Sequence, residues 1–516
     1  MVAIGIDLGT TFCCVMSRTK NGQLEIIRAA DGNDLTPSAV YFGTGGEVVV
    51  GSPAVERGLE EPDNLITEIK RHMGQDFPID SQGVIYTPEA ISGLILKRLA
   101  ADAATYFTVP TSQIKAVITV PAYFGVAEKE ATYAAAKIAG LEVLELLAEP
   151  VAAAYSYGTL ETLSGSSLVF DLGGGTFDVA VVGMDGGEPR IWAVDGEVRL
   201  GGVDWNNRLA EIVWQGLEAA GADPDLRYDE SAAAAVAAAT ETTKRRLSGT
   251  TSPVLVRVEL DGQKYQTSVT PKEFEEASND LVKLCLEATT RVLGTASDKG
   301  AQDVERILLV GGSTQLPAIR RALASEYGLP VLIHDPNKAV ARGAAILADQ
   351  LEPSGENRAG LAKPRQRVKP VLPRGLGVKV YSSQEPWDPQ PYVAPILSAN
   401  TPLPVVDHEY TVATIVDNQS AARIEICEQA GAVVSRELAH NRVVLDAEMG
   451  SLPPMPAGSP LRLLVSVGLD GRVSLKAVAG ESRTPVELSA FMLGVVDDSE
   501  LAQQRSAIDG LELRRF

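Results

Sequence analysis

The stretch that decides the fold is Ala3-Ile-Gly-Ile-Asp-Leu-Gly-Thr-Thr11, which returns as Leu168-Val-Phe-Asp-Leu-Gly-Gly-Gly-Thr176. Each copy is an apolar run that ends in Asp-Leu-Gly and a Gly/Thr turn, and each run predicts a buried β-strand. The two aspartates, Asp7 and Asp171, are 164 residues apart, so the repeating unit is a whole lobe and not a solenoid module. Strands and helical stretches alternate from residue 1 to about 350, which predicts an α/β class.

Three local signals are equally clear. The second strand copy is predicted to continue as a hairpin that turns at Asp185-Gly186-Gly187. Thr87 and Thr270 each stand before a proline and are predicted to cap helices, and Glu273 completes a capping box with Thr270.

The two Gly/Thr turns favour a pair of phosphate-binding loops. Glycines at the end of a strand let backbone N–H groups approach phosphate oxygens closely, as in an anion-binding nest. The aspartate at the end of each strand would hold Mg²⁺ through water and would not touch phosphate itself. One copy alone would favour an ordinary Gly-rich turn. Two matched copies, facing each other across a cleft, favour a site that binds a nucleotide's phosphates from both sides.

Two further stretches suit the rest of a nucleotide. Leu308-Leu-Val-Gly-Gly-Ser-Thr314 is again an apolar strand that runs into Gly-Gly and opens a helix, whose N-terminus can receive an anion or a sugar edge. A long helix is predicted over Ser231–Leu247 by its alanine content. One face of this predicted helix carries polar residues at i, i+3, i+4 and i+7, namely Glu241, Lys244, Arg245 and Ser248. No Gly-Lys dipeptide occurs in the chain, so a Walker-type phosphate loop is excluded.

The composition narrows the class of protein. The chain has 516 residues, of which 45% are hydrophobic and 22% charged, and this excludes collagen, disorder and disulfide scaffolds. A net charge of −21 argues against nucleic acid and against anionic membranes as partners. The dispersed histidines and cysteines predict no metal cluster and suit a reducing, cytoplasmic compartment. Met1–Gly9 is predicted to be a strand, so no signal peptide is expected.

The character of the sequence changes after Leu351. Residues 353–373 are rich in proline and carry a basic cluster, which predicts an extended linker, although the cluster could also bind an acidic partner. Residues 374–490 contain short alternating segments, which predict an all-β sandwich. Residues 491–516 form a short tail with room for one helix. The predicted nucleotide-binding part is residues 1–352, with lobes over roughly 1–166 and 167–352.

These residues are specific enough to indicate a family. Thr119-Val-Pro-Ala-Tyr-Phe124 and Ala148-Glu-Pro-Val-Ala-Ala-Ala154 are particular to the Hsp70 (DnaK-type) chaperones, which the chain resembles over essentially all of residues 1–350. A looser match, including Asp417-Asn-Gln-Ser420, covers the predicted sandwich. The resemblance implies an actin-like ATPase of two ribonuclease-H-like lobes, followed by a β-sandwich that binds peptide. The other matching segments are Ile4–Thr11, Asn64–Gly74, Ile138–Gly158, Val169–Asp178, Leu200–Leu209, Ile307–Pro317 and Asp335–Ala345.

What the resemblance implies about ATP chemistry can be stated residue by residue. The cofactors are ATP or ADP and Mg²⁺, which Asp7, Asp171 and Asp178 would hold through water. The residues implied in catalysis are Lys70, Glu149, Asp171, Asp7 and Thr176. Those implied in nucleotide binding are Thr10, Thr11, Phe12, Gly173, Gly174, Gly175, Gly201, Gly202, Glu241, Lys244, Arg245, Ser248, Gly311, Gly312, Ser313 and Asp335. Those implied in the switch that senses the nucleotide are Thr36, Pro121 and Lys129.

In the predicted sandwich the family binds an extended hydrophobic polypeptide through backbone hydrogen bonds and one apolar pocket. Each residue implied in that pocket could equally be sandwich core. The residues are Val378, Tyr381, Val412, Ile415, Ala422 and Ile424.

The sequence also departs from the family. Its linker is basic, and its tail is too short for the helical lid. Glu145 and Lys129 stand where the family has arginines, which puts coupling to a J-protein co-chaperone in doubt, while an exchange factor stays possible. Gln315 replaces an arginine that stacks on adenine, which predicts weaker nucleotide binding.

Three functions are compatible with these residues. The favoured one is an ATP-dependent chaperone without a lid. The alternative is an ATP-switched module for one dedicated client protein. A small-molecule kinase on the same fold is less favoured, because such kinases lack the β domain.

Overall fold

The computed structural model describes residues 1–19, 21–157, 165–185, 188–352, 368–382, 390–430, 434–450, 452, 454–479, 486–487, 490–492 and 498–514. The predicted linker over 353–373 therefore lies outside the described residues up to position 367, and so do Gly186 and Gly187 of a predicted hairpin turn. Four parts are named by their residues: the first half (1–157), the second half (166–352), the β region (368–492) and the C-terminal tail (498–514).

The first half is built on a mixed sheet of order β11-β10-β1-β2-β3, with β4 paired to β2. The centre of the sheet, β1 and β10, is parallel and buried on both faces, as its apolar sequence predicts. Helix α2 begins where Thr87 accepts a hydrogen bond from the Ala90 N–H, which confirms the predicted cap. The elements are β1 (Val2–Leu8), β2 (Phe12–Arg18), β3 (Leu24–Ile26), β4 (Thr36–Pro37), β5 (Ala39–Phe42), β6 (Glu47–Val50), α1 (Ser52–Gly58), β7 (Leu65–Thr67), β8 (Ile79–Ser81), β9 (Val84–Tyr86), α2 (Pro88–Phe107), β10 (Ile114–Val120), α3 (Val126–Ile138), β11 (Glu142–Ala148) and α4 (Glu149–Ser156).

The second half repeats the same beginning. Strand β12 pairs antiparallel with β13 and parallel with β17, as β1 pairs with β2 and β10, in a sheet of order β14-β13-β12-β17-β18. The predicted capping box of Thr270 and Glu273 is present at α7. The elements are β12 (Ser166–Leu172), β13 (Phe177–Asp185), β14 (Glu188–Glu197), α5 (Gly202–Ala219), α6 (Glu230–Leu247), β15 (Val254–Leu260), β16 (Gln263–Val269), α7 (Pro271–Ala277), α8 (Asn279–Asp298), β17 (Val304–Val310), α9 (Pro317–Tyr327), β18 (Val331–Ile333) and α10 (Ala339–Leu351).

Two helices join the halves. Helix α10 packs on β1, α4 packs on β12 and β13, and the two helices pack on each other. Their contact is close because it is made of small residues: a Cβ on Gly343 would lie 1.8 Å from the Ala152 carbonyl oxygen, and one on Gly5 would lie 2.1 Å from the Ala345 nitrogen. The Ala-Ala-Ala of the sequence motif is therefore a packing requirement of the junction between the halves.

The β region contains two sheets, of order β20-β19-β22-β23-β27 and β21-β24-β25-β26, that share one apolar core. Val126 of α3 belongs to the same core, so the β region packs directly on the first half. It also touches the second half, because the Asn400 side chain bonds both the N–H and the carbonyl of Val194. The strands are β19 (Leu376–Tyr381), β20 (Pro391–Leu397), β21 (Val405–Ala413), β22 (Ala422–Gln429), β23 (Asn441–Met449), β24 (Pro460–Val467), β25 (Val473–Ala479), β26 (Val486–Glu487) and β27 (Ala490–Met492).

The C-terminal tail returns to the first half. It forms α11 (Asp498–Asp509), as predicted, and then a two-residue strand, β28 (Glu512–Leu513), which pairs parallel with β6. Ile508 is 1% exposed and belongs to the core of the first half. Lys97 of α2 pairs with Asp509 at 2.8 Å. The sequence left open where the tail lies, and the structure places it on α2, α3 and β6 of the first half.

No helix in the described part of the chain is long and apolar enough to cross a membrane.

Candidate functional site

The two Gly/Thr loops face each other, as the repeat predicts. A Cβ on Gly174 would lie 2.2 Å from the Thr11 hydroxyl oxygen, and one on Gly175 would lie 2.5 Å from the Thr10 methyl carbon. A side chain at either glycine would therefore force the loops apart. The glycines are required by the close approach of the two loops, one from each half.

Four carboxylates and one lysine lie beside the loops. Lys70, on the short 3₁₀ turn Ile69–His72, pairs with Glu149 at 2.9 Å, and both side chains are buried. Asp7 accepts a hydrogen bond from the Thr119 hydroxyl at 3.3 Å. Asp171 and Asp178 are opposite each other on β12 and β13. The structure thus brings together the residues implied in catalysis, with Thr176 buried at the end of the second loop.

Burial, followed by repulsion from Glu149, raises the pKa of Asp7 to about 7 and that of Asp178 to about 8. The pKa of Asp171 is also raised, by burial, Glu149 and Asp178. Burial alone would lower the pKa of Lys70, but Glu149 and Asp7 outweigh it and raise the pKa. The raised pKa values reflect burial first and mutual repulsion of the carboxylates second; when all four carboxylates are ionised, their negative charge exceeds what the one lysine offsets.

That excess of negative charge fits Mg²⁺, a hard cation that prefers oxygen ligands and keeps several waters. In the described part of the chain, no three His, Cys, Asp or Glu side chains are arranged to ligate a metal directly. An excess of negative charge without a set of direct ligands is expected if the carboxylates hold the ion through its waters. The arrangement therefore suits the predicted role of Asp7, Asp171 and Asp178.

A third turn, at Gly201 and Gly202, adjoins the second Gly/Thr loop. The Gly202 N–H bonds the Gly173 carbonyl at 3.0 Å, so this turn lies on the second loop. The Asp204 carboxylate accepts from the Gly201 N–H at 2.8 Å and from Arg71 at 2.6 Å. Arg71 follows Lys70, so one short turn of the first half contacts both the carboxylate cluster and the loops of the second half.

The predicted adenosine residues line one wall of the second half. Lys244 and Arg245 each pair with Glu241 at 2.8 Å, and Lys244 also donates to the Gly202 carbonyl. Lys244 and the other hydrogen-bond partners outweigh burial and lower the pKa of Glu241 to about 2. Arg245 lies 5.5 Å above the Phe12 ring, which bridges the cleft between the halves.

Loop 311–315 completes that wall. The Ser313 hydroxyl donates to the Gly173 carbonyl at 2.8 Å, and a Cβ on Gly311 would lie 2.3 Å from the Leu172 carbonyl oxygen. Gly312 faces Asn337, and Asp335 lies within 3.9 Å of Lys338. A small cavity of about 20 Å³ lies beside Ser248, between α6, α7 and the start of α9, and Trp205 and Leu316 are among its lining residues.

The three predicted switch residues are separate in the structure. Thr36 is buried and pairs with Cys13 beside the first loop. Pro121 follows β10 and accepts from the Phe124 N–H at 3.1 Å. Lys129 lies on α3, close to Gly471 of the β region, and burial lowers its pKa.

The residues implied in the peptide pocket do not share one environment. Val378, Ala422 and Ile424 are buried in the core that the two sheets share, and Val412 is half-buried against it. Tyr381 and Ile415 are exposed, by 45% and 64% of their surface.

The sequence did not single out three residues that the structure places at the site. They are Arg71, Asp204 and Tyr123, whose N–H donates to Asp178 at 2.8 Å. Asp204 stands three residues after Gly201, in the spacing of a helix cap, and this signal was available in the sequence. Arg71 and Tyr123 gave no such local signal, because each acts through a contact with a distant segment.

The fold and the site together define an α/β protein with a duplicated strand-and-loop unit, whose paired loops and buried carboxylates suit a nucleotide with Mg²⁺. A family model described as Hsp70 protein matches residues 3–503, so the chain belongs to the Hsp70 family. Proteins of this family have an actin-like ATPase fold, are generally ATPases and chaperones, and typically bind ATP or ADP with Mg²⁺ and polypeptide clients.

Proposed function

We propose that this protein is an ATPase of the Hsp70 type that uses ATP to modulate its binding of extended hydrophobic polypeptide. The observation that carries the proposal is the buried Lys70–Glu149 pair close to Asp7, Asp171 and Asp178, beside two glycine loops that approach too closely to admit side chains at Gly174 and Gly175. In this proposal residues 1–352 form the ATPase domain of two lobes, and residues 374–490 form the peptide-binding domain.

The residues have distinct roles in the proposed reaction. The loop N–H groups of Thr10, Thr11, Gly174 and Gly175 bind the phosphates and orient them, while the Gly173 N–H closes its loop on the Thr176 carbonyl. Mg²⁺, when bound, neutralises charge on the phosphates, and the three aspartates hold its waters. Lys70 orients the attacking water and offsets the negative charge that develops. Glu149, held by Lys70, accepts a hydrogen bond from that water. Glu241, Lys244, Arg245, Ser248 and loop 311–313 hold the adenosine.

The proposed location is the cytoplasm, since the four cysteines, Cys13, Cys14, Cys285 and Cys427, are all free thiols. The proposed partner is an extended apolar segment of a client, which Tyr381 and Ile415 would contact from the surface of the β region. An exchange factor fits the same cycle, whereas nucleic acid and membrane do not fit a charge of −21.

One observation favours the alternative, an ATP-switched module for a single dedicated client. The β region is attached on both sides: Lys369 accepts from the Ile191 N–H of the second half, and the tail that follows the β region is embedded in the first half. A β region held in this way is less free to undock and to cycle among many clients.

The test combines ATP turnover with peptide binding. A labelled leucine-rich peptide is titrated with the protein in ADP and again in ATP with Mg²⁺, and fluorescence anisotropy reports binding. Turnover together with a different affinity in the two nucleotides supports the chaperone. Turnover without peptide binding supports the dedicated module, which is tested by a stoichiometric partner in a pull-down. The absence of ATP turnover contradicts both.

A further inference from the structure

A buried ionic cluster lies where the β region meets the first half. The Arg374 guanidinium, from the segment just before β19, lies 3.5 Å from Glu128 of α3 and 3.3 Å from Glu428 of β22. All three side chains are at most 7% exposed. Glu428 also accepts a hydrogen bond from the Val126 N–H at 3.0 Å. Lys129 and Arg442 face the same carboxylates, so the cluster does not depend on Arg374 alone for positive charge.

The same guanidinium is linked to the carboxylates beside the Gly/Thr loops. It lies 4.8 Å above the ring of Tyr123, a cation–π contact shielded from water. The backbone N–H of Tyr123 donates to Asp178 at 2.8 Å. Two contacts therefore separate Arg374 from a carboxylate that the proposed function assigns to Mg²⁺.

The loop between these contacts is short and fixed at both ends. Residues 121–126 run from Pro121, at the end of β10, to Val126, at the start of α3. The β region fixes the loop at two points, by Arg374 on the Tyr123 ring and by Glu428 on the Val126 N–H. A Cβ on Gly125 would lie 2.1 Å from the Glu428 carboxylate, so the approach is as close as the backbone allows.

We propose that Arg374 is a positioning residue for ATP hydrolysis, which fixes the loop 121–126 from the β region and thereby orients Asp178. This rests on the proposed ATPase function. The backbone N–H groups of Tyr123 and Ala122 in this loop hold Asp178, and Arg374 fixes the loop by covering the ring of Tyr123. Mutation of a residue that orients a metal-binding side chain typically lowers metal affinity or activity by about 10–100-fold.

The chain offers a matched control at the same interface. Arg472 of the β region donates to Glu130 of α3 and lies 4.6 Å above the ring of Tyr133. It therefore makes the same two kinds of contact as Arg374, but both of its partners lie on α3, whereas Tyr123 lies in the loop before that helix. Among the contacts of the described residues, none carries the effect of Arg472 to Asp178.

The experiment compares Arg374→Lys with Arg472→Lys, both of which keep the charge and lose the planar guanidinium. The first readout needs no nucleotide: hydrogen exchange, by mass spectrometry, of the peptide that covers residues 121–126. We expect several-fold faster exchange in Arg374→Lys and unchanged exchange in Arg472→Lys. The second readout is the Mg²⁺ concentration for half-maximal turnover. We expect it to rise about ten-fold in Arg374→Lys only.

If Arg374→Lys fails to fold, Glu428→Gln is the second variant, because glutamine keeps the shape of the glutamate side chain. It should also speed exchange at residues 121–126. Equal exchange and equal Mg²⁺ dependence in Arg374→Lys and Arg472→Lys would overturn the inference while leaving the ATPase intact. A wild-type protein without turnover would instead remove the proposed function.

Discussion

The predicted nucleotide cleft and the β region differ in how the structure arranges the residues that the sequence predicts to bind a ligand. In the cleft the predicted residues touch one another, as in the Lys70–Glu149 pair and the bond from Ser313 to Gly173. In the β region they separate into a buried group, such as Ile424, and an exposed group, such as Ile415. A charged residue in a cleft needs a partner, which limits where it can lie. An apolar residue on a strand is equally suited to a core and to a pocket.

The largest effect tests the cleft side of this comparison. Lys70→Ala should lower ATP turnover by roughly 10²–10⁴-fold, because it removes a positioned catalytic cation. ADP should still bind, since the loops and the adenosine wall are unchanged, and calorimetry measures that binding. Lys272→Ala is the control, because Lys272 is 85% exposed on α7. Turnover close to that of the wild type in Lys70→Ala would break the assignment of the cleft.

The next effect tests whether a predicted pocket residue is core. Ile424 is 3% exposed, so Ile424→Ala should lower the free energy of unfolding of the β region by about 2–5 kcal/mol. Urea denaturation, followed by a probe within the β region, measures this. Ile415→Ala at the exposed site should change it by less than about 0.5 kcal/mol. If Ile424→Ala instead left stability intact and weakened peptide binding, Ile424 would line a pocket.

A third test concerns a buried carboxylate outside the cleft. Burial raises the pKa of Glu89, at the start of α2, to about 6, and Glu500 of the tail adds to the rise. A raised carboxylate pKa stabilises the fold below the unfolded pKa, and that stability is lost as pH rises through about 6. The loss should amount to about 2 kcal/mol between pH 4 and pH 8.

The measurement is urea denaturation of Glu89→Gln and of the wild type across that range. The glutamine variant should be equal to or less stable than the wild type at the acidic end and more stable at the alkaline end. A difference between the two proteins that does not change with pH would contradict the raised pKa of Glu89.

The smallest effect tests the exposed side of the β region. Ile415→Asp should weaken the binding of a leucine-rich peptide by about three- to ten-fold, which corresponds to roughly 1 kcal/mol, while the free energy of unfolding stays unchanged. Fluorescence anisotropy measures it. Val406→Asp is the control, because Val406 is 73% exposed on β21 and was not implied in peptide binding. An equal loss in both variants would mean that Ile415 has no special role.

Much of the fold was predictable because it depends on local chemistry. The apolar runs of β1 and β12, the caps at Thr87 and Thr270, and the shared face of Glu241, Lys244 and Arg245 all appear where the sequence placed them. The roles of Arg71 and Tyr123 were not predictable, because their partners, Asp204 and Asp178, are 133 and 55 residues away.

The sequence alone determined the duplicated loops, the alternation of strands and helices, and membership of a family, since each depends on residue type and spacing along the chain. Only the tertiary structure decided that the tail closes on β6, that Arg374 lies between Glu128 and Glu428, and that Ile424 is core. Those outcomes depend on which distant surfaces exclude water together. Packing of this kind depends on shape in three dimensions, which a spacing pattern does not contain.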